Sequence, residues 1–157
     1  MERAELATYF DENLFVPELK AQTKDQVLQE MVNLLVDNNI VRNGDIVLEM
    51  IQKRELLGST GMEHGVAIPH GRTTAASKVV IAFGKSAAGI DFDSIDKKPA
   101  KIFFMIIAPP MEANNVYLPI LGALVTILKE KSNRTKILNA ESFAEFINLI
   151  KGEDDND

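Results

Sequence analysis

The sequence predicts an α/β protein, a three-layer α/β/α sandwich in which a small mixed β-sheet is flanked by helices. Two apolar segments, 79–83 and 100–108, have the length and near-continuous hydrophobicity of strands that are buried in a sheet. Apolar residues recur at helical spacing before them, over 27–35 and 46–57, and again after them. A helix pair followed by strands and then by a helix cluster is typical of this fold class.

The N-terminal part is expected to contain a short helical turn over 4–10 and an extended segment at 14–16. The first long helix should begin after Thr23, which is the expected N-cap because Gln26 stands three residues further on. This helix should end near 37–39, where polar residues interrupt the apolar spacing.

Asn43 is the expected N-cap of a second helix, and Gly58 is its expected end. The predicted apolar face of this helix contains Ile46, Val47, Met50, Ile51 and Leu57. A short strand over 66–68 then runs into Pro69-His70-Gly71, so we expect His70 to stand at the end of a rigid element.

The remaining elements are two strands and three helices, expected at 78–85, 100–108, 116–129, 132–138 and 142–150. A turn-rich loop over 89–98 separates the two strands. Asn115 is the expected N-cap of the first of these helices. Ser142 and Glu145 form a capping box at the start of the last one.

Composition limits the classes of function. The length of 157 residues suits one domain over 1–151, with an acidic, disordered tail at 152–157. Because there are no cysteines, disulfides and thiolate catalysis are excluded. The longest apolar runs fall short of the roughly 20 residues that cross a bilayer, so we expect a cytoplasmic protein without membrane insertion. The net charge of −6, without a basic stripe, argues against a nucleic-acid partner.

The segment 58–72 holds both histidines of the chain and four of its nine glycines. His70 is the candidate nucleophile, because a neutral imidazole nitrogen can attack phosphorus and form an N–P bond. The alternative is a histidine that caps a strand through a backbone hydrogen bond. His64 lies six residues earlier and could approach His70 as a metal pair or as a helper. Two histidines without ligand-spaced carboxylates make a poor metal site, so we expect no metal and no cofactor.

Three further features could support phosphate chemistry. Arg54 could offer a bidentate fork to phosphate oxygens, or it could be an exposed arginine paired with Glu49 or Glu55. Arg72 is expected to face solvent or a partner. Hydroxyls and backbone N–H groups that could form a phosphate cradle are found at Ser59, Thr60 and Gly61.

These residues resemble the signature of the fructose/mannitol-type enzyme IIA family of the bacterial phosphoenolpyruvate:sugar phosphotransferase system. The resemblance is carried by Arg54-Glu55, by 59–61, by the segment Gly-Val-Ala-Ile-Pro-His-Gly at 65–71, and by 92–99 with the strand that follows. It covers residues from about 5 to 150.

The resemblance implies a phosphotransferase with a phosphohistidine intermediate. The phosphocarrier HPr would phosphorylate His70, and the protein would pass the group to a cysteine of enzyme IIB, which serves a IIC permease. Arg54 and Thr60 would surround the phosphohistidine. A regulatory, nitrogen-type enzyme IIA that binds targets according to its phosphorylation state is the alternative. A third hypothesis is a non-catalytic module that binds a phosphorylated metabolite.

One position departs from the family pattern. Members often carry a second histidine at the start of the helix after the long strand, and Tyr117 aligns with that position. A tyrosine hydroxyl can hydrogen-bond a phosphoryl oxygen, but it does not titrate near neutral pH as imidazole does. Tyr117 and His64 are therefore predicted to support His70, with His64 as a partial substitute for the missing histidine.

Overall fold

A computed structural model describes residues 1–153 of the chain. Its strands are β1 (Phe10–Val16), β2 (Val66–Ala67), β3 (His70–Arg72), β4 (Val80–Ile90) and β5 (Ala100–Ala108). Its helices are α1 (Arg3–Ala7), α2 (Lys24–Asp37), α3 (Gly44–Leu56), α4 (Tyr117–Leu128), α5 (Lys131–Asn139) and α6 (Phe143–Lys151). Of the predicted acidic tail, residues 154–157 lie outside the described residues.

The strands form one mixed sheet in the order β1-β4-β5-β2, and β3 also pairs with β5. β4 and β5 are antiparallel, whereas β1 is parallel to β4, and β2 and β3 are both parallel to β5. In this register His70 lies opposite Ile106. The long β5, which is apolar except for Lys101, therefore carries the short strand from which the histidine projects.

Apolar cores lie on both faces of the sheet. Phe103 and Phe104 are consecutive on β5, so their side chains point to opposite faces. Phe104 joins the core with residues of α1, α4, α5 and α6, and Phe103 joins the core with residues of α2 and α3. This arrangement confirms the predicted three-layer α/β/α sandwich.

Capping residues in the sequence correctly predicted where three helices begin. Thr23, Asn43 and Ser142 each accept hydrogen bonds from backbone amides of the first turn of their helix, as predicted. The prediction for Asn115 was wrong: α4 has Val116 at its N-cap without a side-chain cap, and Asn115 has a positive φ of 48°. No helix within residues 1–153 combines the length and apolarity that a bilayer span requires.

Other sequence expectations need correction as well. β4 continues to Ile90, into the predicted loop, because its far end pairs with the start of β5 at Ala100. On α3, Val47 and Ile51 are buried as expected, whereas Ile46 and Leu57 are exposed. His70 begins β3 and does not simply follow a strand, because the chain pairs with β5 a second time after Pro69.

Candidate functional site

The imidazole of His70 is half-buried and has a fixed orientation. Its Nδ1 lies 2.7 Å from the backbone carbonyl oxygen of Ile68. A carbonyl oxygen can only accept a hydrogen bond, so Nδ1 must carry the proton in this contact. In the neutral ring the lone pair is then on Nε2. The structure thus provides a nucleophilic nitrogen whose tautomer is set by the backbone.

The backbone around His70 is held by the sheet on one side and by α3 on the other. The carbonyl of Pro69 accepts a hydrogen bond from the Ile106 amide at 3.0 Å. The next residue, Gly71, faces α3, where a methyl group in place of its hydrogen would overlap the Met50 sulfur. Glycine therefore permits the close approach of α3, and His70 projects toward the opposite side of β3.

Tyr117, the first residue of α4, lies beside the histidine. Its ring centroid is 6.1 Å from that of His70, in an edge-to-face arrangement at 60°. Burial raises the pKa of the Tyr117 phenol to about 12, although the positive charges of Arg72 and Arg54 act in the opposite direction. The phenol is therefore neutral at physiological pH and can only donate or accept a hydrogen bond there.

Arg72 belongs to this group of side chains, contrary to the expectation that it simply faces solvent or a partner. Its guanidinium carbon lies 4.4 Å from the centre of the Tyr117 ring. Its Nη1 donates to Glu112 Oε2 at 2.9 Å and to the Pro109 carbonyl at 3.0 Å. The sequence held one signal for this position, because residues two apart on a strand project to the same side.

Glu112 was not selected from the sequence either. Its other carboxylate oxygen accepts a hydrogen bond from the Val116 amide, at the start of α4. Its side chain is only 8% exposed. Glu112 thus bonds the residue that precedes α4, and it ties Arg72 to the beginning of the helix that carries Tyr117.

Arg54 approaches the site from the last turn of α3. Its Nη1 donates to the Gly58 carbonyl at 2.9 Å, and its charge lies close enough to lower the pKa of Tyr117. Within residues 1–153 it forms no ion pair with Glu49 or Glu55, which pair instead with Lys53 and Lys24, respectively. The structure therefore does not contain the salt bridges that were the alternative role for this arginine.

Thr60 is buried and is engaged by Glu55. The Glu55 carboxylate accepts hydrogen bonds from both the amide of Thr60, at 3.0 Å, and its hydroxyl. Lys24 Nζ completes this network, 3.0 Å from Glu55 Oε1. The donors of Thr60 thus serve the fold in this structure and hold the loop that follows α3.

Ser59 and Gly61 are likewise satisfied internally. The Ser59 hydroxyl donates to the Phe92 carbonyl at 2.6 Å and accepts from the Gly61 amide at 3.0 Å. A side chain at Gly61 would collide with Ser94, so the loop is tightly packed here. The predicted cradle at 59–61 is therefore a set of mutually bonded groups, and its donors do not project freely toward His70.

His64 occupies a separate exposed turn. The turn is closed by the hydrogen bond from the Met62 amide to the Val66 carbonyl, and His64 has a positive φ of 66°. The amide of His64 donates to Asp96 Oδ2 at 3.1 Å. Among the described residues we find neither a contact between the two histidines nor a metal-binding group of three or more histidine and acidic side chains.

Comparisons with known proteins agree with the motif at 54–71. A family model described as phosphoenolpyruvate-dependent sugar phosphotransferase system, EIIA 2, matches residues 8–153. A fructose-specific EIIA component of the phosphotransferase system from Haloferax volcanii is 38% identical over 142 residues, which is 90% of this chain and 92% of the relative.

Nitrogen regulatory proteins are similar as well. One from Bradyrhizobium diazoefficiens is 32% identical over 122 residues, 78% of either chain. The crystal structure of the nitrogen regulatory protein IIA-Ntr from Neisseria meningitidis superposes with a TM-score of 0.85 at 27% identity and covers 93% of this chain and 99% of that one. The mannitol IIA from Escherichia coli, at 22% identity and a TM-score of 0.74, has the same fold.

Proposed function

This chain belongs to the phosphoenolpyruvate-dependent sugar phosphotransferase system EIIA 2 family, and we propose that it carries a phosphoryl group on Nε2 of His70. The protein accepts the group from phosphorylated HPr and passes it to a cysteine of enzyme IIB, which serves sugar uptake through a IIC permease from the cytoplasm. The observation that carries the proposal is the hydrogen bond between Nδ1 and the Ile68 carbonyl, because it leaves Nε2 as the nucleophile.

Both transfer steps balance without a further reactant. In the first step the Nε2 lone pair forms the new N–P bond, and the electron pair of the broken N–P bond stays on the HPr histidine. The proton on Nδ1 remains on the His70 ring and keeps its hydrogen bond to Ile68. In the second step the thiolate sulfur of enzyme IIB attacks phosphorus, and the N–P electron pair returns to Nε2.

Positioning and charge neutralisation are what phosphoryl transfer requires from the protein. Arg54 and Tyr117 supply a cation and a neutral hydroxyl at the site, and the guanidinium of Arg54 suits the equatorial phosphoryl oxygens. The raised pKa of Tyr117 keeps its hydroxyl protonated, so the phenol adds no negative charge that would oppose the phosphoryl group.

Exposed apolar residues that neighbour the site in sequence support docking of partner proteins. Leu57, Met111 and Leu118 are 86%, 89% and 70% exposed. Leu57 lies three residues after Arg54. Met111 directly precedes Glu112, and Leu118 directly follows Tyr117. Protein partners that exchange a phosphoryl group must bring two active sites together, and an apolar rim around a polar centre fits such a contact.

Labelling with phosphoenolpyruvate, enzyme I and HPr tests the proposal. The wild type should gain an acid-labile mass of about 80 Da, and the His70→Ala variant should gain none. The matched control is His64→Ala, which removes the exposed histidine of the neighbouring turn and should be labelled as well as the wild type. Equal labelling of wild type and His70→Ala would show that the acceptor assignment is wrong.

A regulatory role is the second candidate, because nitrogen regulatory relatives cover this chain at 32% and 27% identity. The acceptor distinguishes the two roles. The fructose-specific relative makes a purified fructose-type enzyme IIB the first acceptor to test. Loss of the label to its cysteine within seconds supports the transport role. Retention of the label in the presence of several IIB proteins favours regulation through phosphorylation-dependent binding.

A further inference from the structure

Arg72 and His70 share one side of β3 and meet the same aromatic ring. They are two residues apart on the strand, so their side chains project in the same direction. The Tyr117 ring lies 6.1 Å from the His70 ring and 4.4 Å from the guanidinium carbon of Arg72. The guanidinium is thus placed beside the imidazole by strand geometry and by a shared packing partner.

The hydrogen bonds of Arg72 leave part of its guanidinium unused. Both of its side-chain bonds, to Glu112 and to the Pro109 carbonyl, come from Nη1. Within residues 1–153, Nη2 and Nε of Arg72 donate no hydrogen bond. The Arg72 side chain is 35% exposed, whereas the Glu112 side chain is 8% exposed. The mostly buried Glu112 therefore fixes one side of the guanidinium, and the partly exposed arginine keeps N–H donors that are free to bind a ligand.

We propose that Arg72 binds the phosphoryl group on His70 through these free donors, and that Glu112 is an internal competitor that limits how tightly it does so. This inference rests on the proposed function. Arg72 would be a second cation of the phosphoryl site, in addition to Arg54.

The charges explain why the competition matters. A phosphoryl group carries a charge near −2 and three strong acceptor oxygens, so it attracts a guanidinium more strongly than a single carboxylate does. Glu112 neutralises part of the charge of Arg72 and repels an anion placed beside it. A carrier must release its phosphoryl group, and an anion beside the site raises the free energy of the phosphorylated state, which acts in the direction of release.

Glu112 also connects this competition to the start of α4. It accepts the hydrogen bond from Val116, the residue before Tyr117, and the segment around it includes the exposed Met111. The same segment lines a cavity of about 480 Å³ together with Lys78. A change in the bond between Arg72 and Glu112 would therefore act on the segment that carries Met111.

The equilibrium distribution of the phosphoryl group between HPr and this protein tests the proposal. Arg72→Ala should shift the equilibrium toward phospho-HPr by about tenfold, as expected for the loss of a charge-assisted hydrogen bond. Glu112→Gln keeps an oxygen for the Val116 amide but removes the charge, and it should shift the equilibrium toward the phosphoprotein by about fivefold. Arg42→Ala, which removes an arginine that bonds the exposed Thr74 carbonyl, is the matched control and should change nothing.

Opposite shifts in the two variants support the competition. Shifts in the same direction, or an unchanged equilibrium in folded variants, overturn it. If Arg72→Ala does not fold, Glu112→Gln decides alone, because it retains an acceptor for the Val116 amide. A wild type that is not phosphorylated would instead overturn the proposed function, so the two failures are distinguishable.

Discussion

The carboxylate of Glu55 binds both the amide and the hydroxyl of Thr60, and this pair lies in the protein interior. The two residues belong to the motif that was interpreted from the sequence as a phosphate cradle. Because the hydroxyl of Thr60 is committed to Glu55, its first contribution is to the stability of the loop after α3. Lys24 balances the charge of the buried carboxylate.

Replacement of Thr60 by valine should therefore destabilise the fold. The variant keeps the side-chain volume but leaves one oxygen of the buried Glu55 without its donor, which costs about 1–3 kcal/mol of unfolding free energy. Urea denaturation measures this loss. Thr126→Val is the matched control, because Thr126 is exposed on α4 and its hydroxyl donates to the Gly122 carbonyl of the same helix; its effect should stay within about 0.5 kcal/mol. Unchanged stability of Thr60→Val together with lost phosphorylation would instead support direct phosphate binding.

Arg54 should matter for the rate of transfer more than for stability. Its hydrogen bond to the Gly58 carbonyl is at the surface, so its removal has little effect on unfolding. Its charge acts at the site, and Arg54→Ala should slow phosphorylation by HPr on the order of 10²-fold. Rapid-quench labelling measures the rate. Lys53→Ala removes an adjacent exposed cation that pairs with Glu49, and it should leave the rate unchanged. Equal slowing by both variants would indicate general electrostatic attraction of HPr.

The parts of the fold that depend on neighbouring residues were predictable from the sequence. The caps at Thr23, Asn43 and Ser142 use a side chain and an amide two or three residues away, so their pattern is visible in the chain. The strand at 100–108 was located correctly because an apolar run of this length has few alternatives.

The composition of the site depends on long-range contacts, and there the sequence was less informative. The hydrogen bond between Arg72 and Glu112 joins residues that are 40 positions apart in the sequence, and no local sequence pattern indicates it. The cap predicted for Asn115 failed because the preceding loop places this residue at a positive φ of 48°, and not in the extended conformation of an N-cap. Tyr117 was selected only by its alignment with a family histidine, and the structure brings it to the His70 ring.

The raised pKa of Tyr117 predicts a loss of stability at alkaline pH. The folded state holds the phenol proton up to about pH 12, whereas an unfolded tyrosine releases it near pH ~10. The stabilisation is therefore fully present below about pH 10 and is lost as the pH rises toward 12, by on the order of 1–2 kcal/mol in total once solvent screening is included. Urea unfolding of wild type and Tyr117→Phe at pH 9 to 12 measures it.

Subtraction of the two stability curves isolates this one group. The other ionisable groups are common to both proteins, so their contributions cancel in the difference. The wild type should lose stability relative to Tyr117→Phe across this interval, with most of the change complete by about pH 12. Parallel curves would mean that the phenol is solvated in the folded protein, and its contact with Arg72 and His70 would then be too open to influence a phosphoryl group.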